Sequence, residues 1–165
     1  MKVPEVLYDL RLRAPGISHV PTSLSQKLTP TPSRRLMEKN WTPSSPWLRR
    51  KTKRGFQGYP IATIAFYGPT ADLATKVVVG IGRDEGLEPD PLERWFSEET
   101  DVRNNRAIGE EVVAFLKEHA AKSVIVTDGL IGCPHEEGID YPEGKSCPRC
   151  PYWAGRDRFT GERIQ

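Results

Sequence analysis

The apolar positions of this chain gather into three short runs and one periodic stretch, all beyond residue 58. IATIAFYG at 61–68 and KVVVGIG at 76–82 are rich in β-branched and aromatic residues, which predicts two buried strands. GPTAD at 68–72 supplies turn chemistry between them, so the two runs predict an antiparallel hairpin with a moderate loop. RDEGLEPD at 83–90 predicts a loop. Asp90-Pro91-Leu92-Glu93 then predicts a helix start: Asp90 can cap, Pro91 suits the first turn and Glu93 stands at the reciprocal capping position. That helix would share Leu92, Trp95 and Phe96 on one face.

A longer helix is predicted at about 104–121, where Ile108, Val112, Phe115 and Leu116 make the stripe of a half-buried helix, weakened a little by Gly109. SVIVTD at 123–128 predicts the third strand. The order β-β-α-α-β gives an α+β class: a small mixed sheet with helices on one face, followed by a C-terminal loop that carries the Cys and His residues of a zinc-bound turn.

Residues 1–58 read differently. Eight of the fifteen prolines fall in the first sixty residues, mixed with Ser, Thr and Arg. LTPTPSRR and WTPSSPWLRRKTKR (41–54) cannot make long helices, since each proline removes a donor and blocks the preceding turn. The division of charge is sharp. Residues 1–58 carry twelve Lys/Arg against three Asp/Glu, and residues 59–165 carry twelve against nineteen. The net charge of +2 therefore hides a basic, poorly ordered arm (1–58) on an acidic α/β body (59–165). Arg49, Arg50, Lys51, Lys53 and Arg54 are the arm's candidate nucleic-acid contacts. Trp41 and Trp47 can stack on bases or anchor the arm to the body. A solvated extension without a partner fits the same composition.

The chemistry of the chain is concentrated in GCPHEEGIDYPEGKSCPRC, which holds all three cysteines. Cys133-x-His135 is followed by eleven residues and then Cys147-x2-Cys150, a spacing that can bring four ligands to one tetrahedral Zn2+. A Cys3His set suits zinc by ligand type and would also accept iron. Four protein ligands close the tetrahedron and favour a structural metal. The competing reading is a zinc-dependent hydrolase or deaminase-like enzyme using His135, Glu137, Cys147 and Cys150, since the stretch also fits H-x-E and C-x-x-C. Against it, nine residues between Glu137 and Cys147 are too few for an intervening strand and helix start, and Cys133 would stand unused. Glu136, Glu137, Asp140 and Glu143 surround the box as candidate ligand-orienting partners or as solvated charges.

After the box, Tyr152, Trp153 and Phe159 interleave with Arg156, Arg158 and Arg163. They can bind single strands, but packing of Trp153 and Phe159 under the zinc loop is favoured. Gly80-Ile81-Gly82 lacks the third glycine and the helix of a dinucleotide site. No catalytic residue can be named.

The runs FYGPTADLATKVVVGI and DGLIGCPHEEGIDYPEGKSCPRCPYWAGRDRF resemble small uncharacterised bacterial proteins that carry a CPHEEG…CPxCP box, over about residues 61–160. The resemblance implies a bacterial, cytoplasmic, metal-binding protein and carries no activity. A cytoplasmic location also follows from thiols that must stay reduced to hold zinc, from the lack of an apolar leader and from the lack of an eighteen-residue apolar run. The expectation is a zinc-binding interaction module whose partner is a protein or a nucleic acid and not a membrane.

Overall fold

The computed structural model describes residues 43–98 and 100–164. Trp41, His19 and most of the proposed arm lie outside the described residues. Among the described residues no helix is long and apolar enough to cross a membrane.

The architecture is α+β, with a four-stranded mixed sheet and two helices. The elements are α1 (Pro46–Lys53), β1 (Ile61–Tyr67), β2 (Lys76–Gly82), β3 (Leu92–Phe96), α2 (Arg106–Glu118) and β4 (Ser123–Leu130). The sheet order is β3-β2-β1-β4. β1 and β2 form the antiparallel hairpin that their sequence predicts, from Ile61 opposite Gly82 to Tyr67 opposite Lys76. β4 runs parallel to β1, so α2 carries the chain from one edge of the sheet across to the other.

The two helices cover one face. Ala62, Ile64 and Phe66 of β1 and Val77, Val79 and Ile81 of β2 pack there with Leu48 of α1 and with Ile108, Val112 and Leu116 of α2. α2 is shorter than the periodic stretch. Asn105 caps it by accepting from the Ile108 N–H at 3.2 Å, and Arg106 pairs with Glu110 one turn on. Phe115 of the predicted stripe is only half-buried; it meets Trp95 edge-on, with ring centroids 5.7 Å apart.

Two expectations are corrected. Residues 92–96 form strand β3 rather than a first helix. The cis Asp90-Pro91 bond and the bonds Asp90 N–H to Ile81 O and Ile81 N–H to Pro91 O turn the chain onto the free edge of β2. Pairing with β2 overrides the local capping signal, as Lys76 opposite Phe96 through Gly80 opposite Leu92 show. The packed body also begins before Tyr59. Ser45 caps α1, whose Leu48 is 1% exposed in the core, and Lys51 Nζ donates to Ala121 O at 2.8 Å. Leu48, the half-buried Trp47 and the Lys51 bonds together dock so short a helix beside β4.

The turn before α2 is held by Asp101, whose carboxylate accepts from Arg103 Nη2 at 2.6 Å and Nε at 2.9 Å and from the Ala74 N–H at 3.3 Å. Burial alone would raise the Asp101 carboxyl, but these donors outweigh it and hold it below its ordinary value. Its stabilising contribution is therefore full above the ordinary value near 3.8 and is lost as pH falls through the lower folded value. Asp101→Asn is expected to lower the melting temperature at neutral pH and to flatten its acid limb; an acid limb unchanged in thermal melts from pH 7 to 2 would exclude this role.

Candidate metal centre

The centre is built directly on the end of β4. The Ile131 N–H donates to Phe66 O at 2.9 Å, continuing the sheet one residue past the strand. Gly132 (φ 111°) then turns the chain, and its carbonyl accepts from the Gly68 N–H at 3.0 Å. The Gly68 carbonyl is bonded as well, to Trp153 Nε1 at 2.7 Å. Gly68 thus ties the β1 end to both limbs of the box. A Cβ there would sit 1.8 Å from Leu73 O, so the position has no room for a side chain. Cys133, His135, Cys147 and Cys150 follow on these limbs, and Cys150 N–H to Cys147 O at 3.3 Å closes the second pair into a tight turn.

One atom from each of the four residues lies within 4.8 Å of every other, in a group that could hold a metal ion. His135 Nδ1 is 3.4 Å from Cys133 Sγ, 3.5 Å from Cys147 Sγ and 3.3 Å from Cys150 Sγ. A ring nitrogen has a single in-plane lone pair or proton and cannot serve three sulfurs by hydrogen bonding. A tetrahedron with arms of about 2.0 Å to nitrogen and about 2.3 Å to sulfur has N···S edges of about 3.5 Å. The near-equal distances match those edges. Cys133 approaches as closely as the two cysteines of the second pair, so the group has four members rather than three.

The surroundings suit a cation. The three sulfurs are buried, Cys150 to 1% exposure, and pack with Tyr141 and Trp153. Burial pushes the Cys133 and Cys150 thiols above their ordinary value, and for Cys133 the neighbouring sulfurs add to this. Clustered thiols become thiolates only when a positive ion joins them. Burial, then the charge of Arg149, lowers the His135 imidazole and keeps it in the neutral, ligating form. The His135 backbone N–H donates to Cys133 Sγ at 3.3 Å.

The acidic residues around the box have separate duties. Glu136 accepts from Lys76 Nζ at 2.6 Å and from Arg94 Nε at 3.0 Å, and Lys76 also donates to Pro134 O at 3.1 Å. Burial would raise the Glu136 carboxyl; the hydrogen bond and charge of Lys76, then Arg94, hold it below its ordinary value instead. Asp140 accepts from the Glu136 N–H and Glu137 from the Gly144 N–H, so both brace the loop backbone. Glu143 is exposed.

Lys76 and Arg94 are absent from the sequence-derived site, although a lysine opening an otherwise apolar strand was a visible signal. Lys76 is 4% exposed, and its ammonium lies 5.5 Å from the ring centroids of Tyr67 and of Phe96. Trp153 packs under the loop as expected, whereas Phe159 stays 38% exposed. Arg156 covers the Tyr152 ring at 4.5 Å and bonds Gly161 O; Arg158 lies beside Gly132. Asp128 is exposed on β4 next to Gly129. The candidate contacts on α1 divide: Lys51 is bonded to the carbonyls of Ala121 and Lys122, while Arg49, Arg50, Lys53 and Arg54 are exposed. No protein-family model, no curated protein sequence and no solved structure matches the chain.

Proposed function

We propose that Cys133, His135, Cys147 and Cys150 hold one structural zinc ion, and that the chain is a non-enzymatic binding module whose C-terminal segment the metal clasps to the sheet. The observation that carries this reading is the near-equal approach of His135 Nδ1 to three buried sulfurs. Three sulfurs and one imidazole favour zinc over hard cations, and four protein ligands leave no position for water or substrate. A reducing bacterial cytoplasm, which the CPHEEG…CPxCP resemblance implies, keeps such thiols free. The partner is a nucleic acid, for which the exposed cations of α1 speak, or a protein.

The alternative, a hydrolase or deaminase-like site of His135, Glu137, Cys147 and Cys150, needs Cys133 off the metal and Glu137 facing it. Cys133 lies as near as the other sulfurs, and Glu137 is engaged with Gly144. Elemental analysis of the purified chain tests the two. One zinc per chain is expected, with most of it lost in both Cys133→Ser and Cys147→Ser. Full zinc in Cys133→Ser with loss in Cys147→Ser would favour the three-ligand enzyme site; full zinc in both would defeat the assignment.

A further inference from the structure

We infer that α1, the Phe56 that follows it and the turn between α2 and β4 together form a docking surface for single-stranded nucleic acid. The inference rests on the nucleic-acid part of the proposed function and turns a charged segment into a placed site. Residues 46–58 contain five Lys/Arg and no acid. Four of these cations are exposed: Arg49, Arg50, Lys53 and Arg54. Helical spacing puts Trp47, Arg50, Lys51 and Arg54 along one stripe, at i, i+3, i+4 and i+7.

The stripe is held rigidly and extended by α2. Lys51 Nζ bonds the carbonyls of Ala121 and Lys122, which fixes α1 against the turn that ends α2. The Lys51 and Lys117 ammoniums stand 5.4 Å and 5.6 Å from the Trp47 ring centroid, so Lys117 joins the stripe across the helix pair. Of the α2 acids, Glu110 is paired with Arg106 and Glu111 accepts from Trp95 Nε1; Glu118 adjoins Lys117 and trims the charge. Phosphates would meet preorganised cations rather than a coil.

Phe56 makes the surface more than a charge patch. It is 60% exposed yet fixed: its ring meets Tyr59 edge-on at 5.6 Å, and the Ser123 hydroxyl accepts from Gln57 N–H and donates to Gly58 O, both at 2.7 Å. An aromatic ring held in water beside arginines is a platform for an unpaired base. A duplex buries its base faces, and α1, with eight residues and its Leu48 side fixed to the core, is not free to enter a major groove.

Fluorescence anisotropy on the full, zinc-loaded chain tests this with a labelled mixed-sequence 20-mer as single-stranded DNA, as single-stranded RNA and as duplex, and with heparin as competitor. Single strands are expected to bind more tightly than the duplex. Arg50→Gln/Lys53→Gln should weaken binding about tenfold or more and lower the log–log salt slope by about 1.4, or about 0.7 per lost phosphate contact. Phe56→Ala should weaken single-strand binding about fivefold or more while leaving the salt slope unchanged. Equal affinity for duplex, heparin competition with no effect of Phe56→Ala, or no binding by any strand would each overturn the inference. Zinc content measured on the same samples separates the outcomes: lost binding with one zinc retained removes the docking surface and leaves the metal assignment standing.

Discussion

Stripping any bound metal with a chelator, or replacing Cys147 by serine, is expected to free residues 133–164 from the sheet while the sheet itself stays folded. The core between the sheet and helices contains none of the three cysteines. The segment's own apolar cluster consists of the three cysteines with Tyr141 and Trp153, of which only the half-buried Trp153 also packs against that core. So small a cluster cannot order a segment of this length by burial, at about 1.5–3 kcal/mol per large side chain. A structural zinc supplies about 10–16 kcal/mol in small zinc-dependent folds, so a zinc held by this group would dominate the balance. The Trp153 indole, bonded to Gly68 O at 2.7 Å, reports the release. Chelation should red-shift tryptophan emission and open protease sites between 133 and 164, with far-UV circular dichroism of the sheet largely kept. Equal protease resistance with and without chelator would show that side-chain packing, not the metal, holds the segment.

Glu136→Ala is expected to be strongly destabilising. Lys76 is 4% exposed and would keep only Pro134 O as a hydrogen-bond acceptor, beside the Tyr67 and Phe96 rings. An uncompensated buried charge costs about 3–5 kcal/mol, and the 19% exposure of the Glu136 side chain places this case near the lower figure. That corresponds to a fall of about 6–12 °C in melting temperature for a chain of this size. Lys76→Met is expected to cost less, because it removes the buried charge and leaves Glu136 its Arg94 partner at 3.0 Å. Thermal melts of the two variants decide the matter: Lys76→Met falling further than Glu136→Ala would refute the buried-charge explanation.

These predictions depend on features of unequal legibility. The hairpin, α2 and β4 were readable because their signals are local: dense β-branched runs for strands, and a four-residue stripe for the helix. The metal group was readable for the same reason, since close cysteine and histidine pairs can reach one ion whatever the remaining fold. β3 was misread because Asp90-Pro91-Leu92-Glu93 carries the capping residues of a helix, while the force that extends it is pairing with β2. α1 escaped notice because one buried leucine, Leu48, gives no periodic pattern.

The sequence alone thus determined an α+β class, the strands and helix that bury themselves by local pattern, and four Cys and His residues close enough in the chain to reach one ion. The tertiary structure decided the sheet order, the early start of the packed body and the footing of the metal loop on Lys76, Arg94 and Gly68. It also decided which cations of α1 face water. Each of these depends on partners far apart in the chain, such as Lys76 with Glu136 or Lys51 with Ala121, and a contact of that kind has no period or spacing to read.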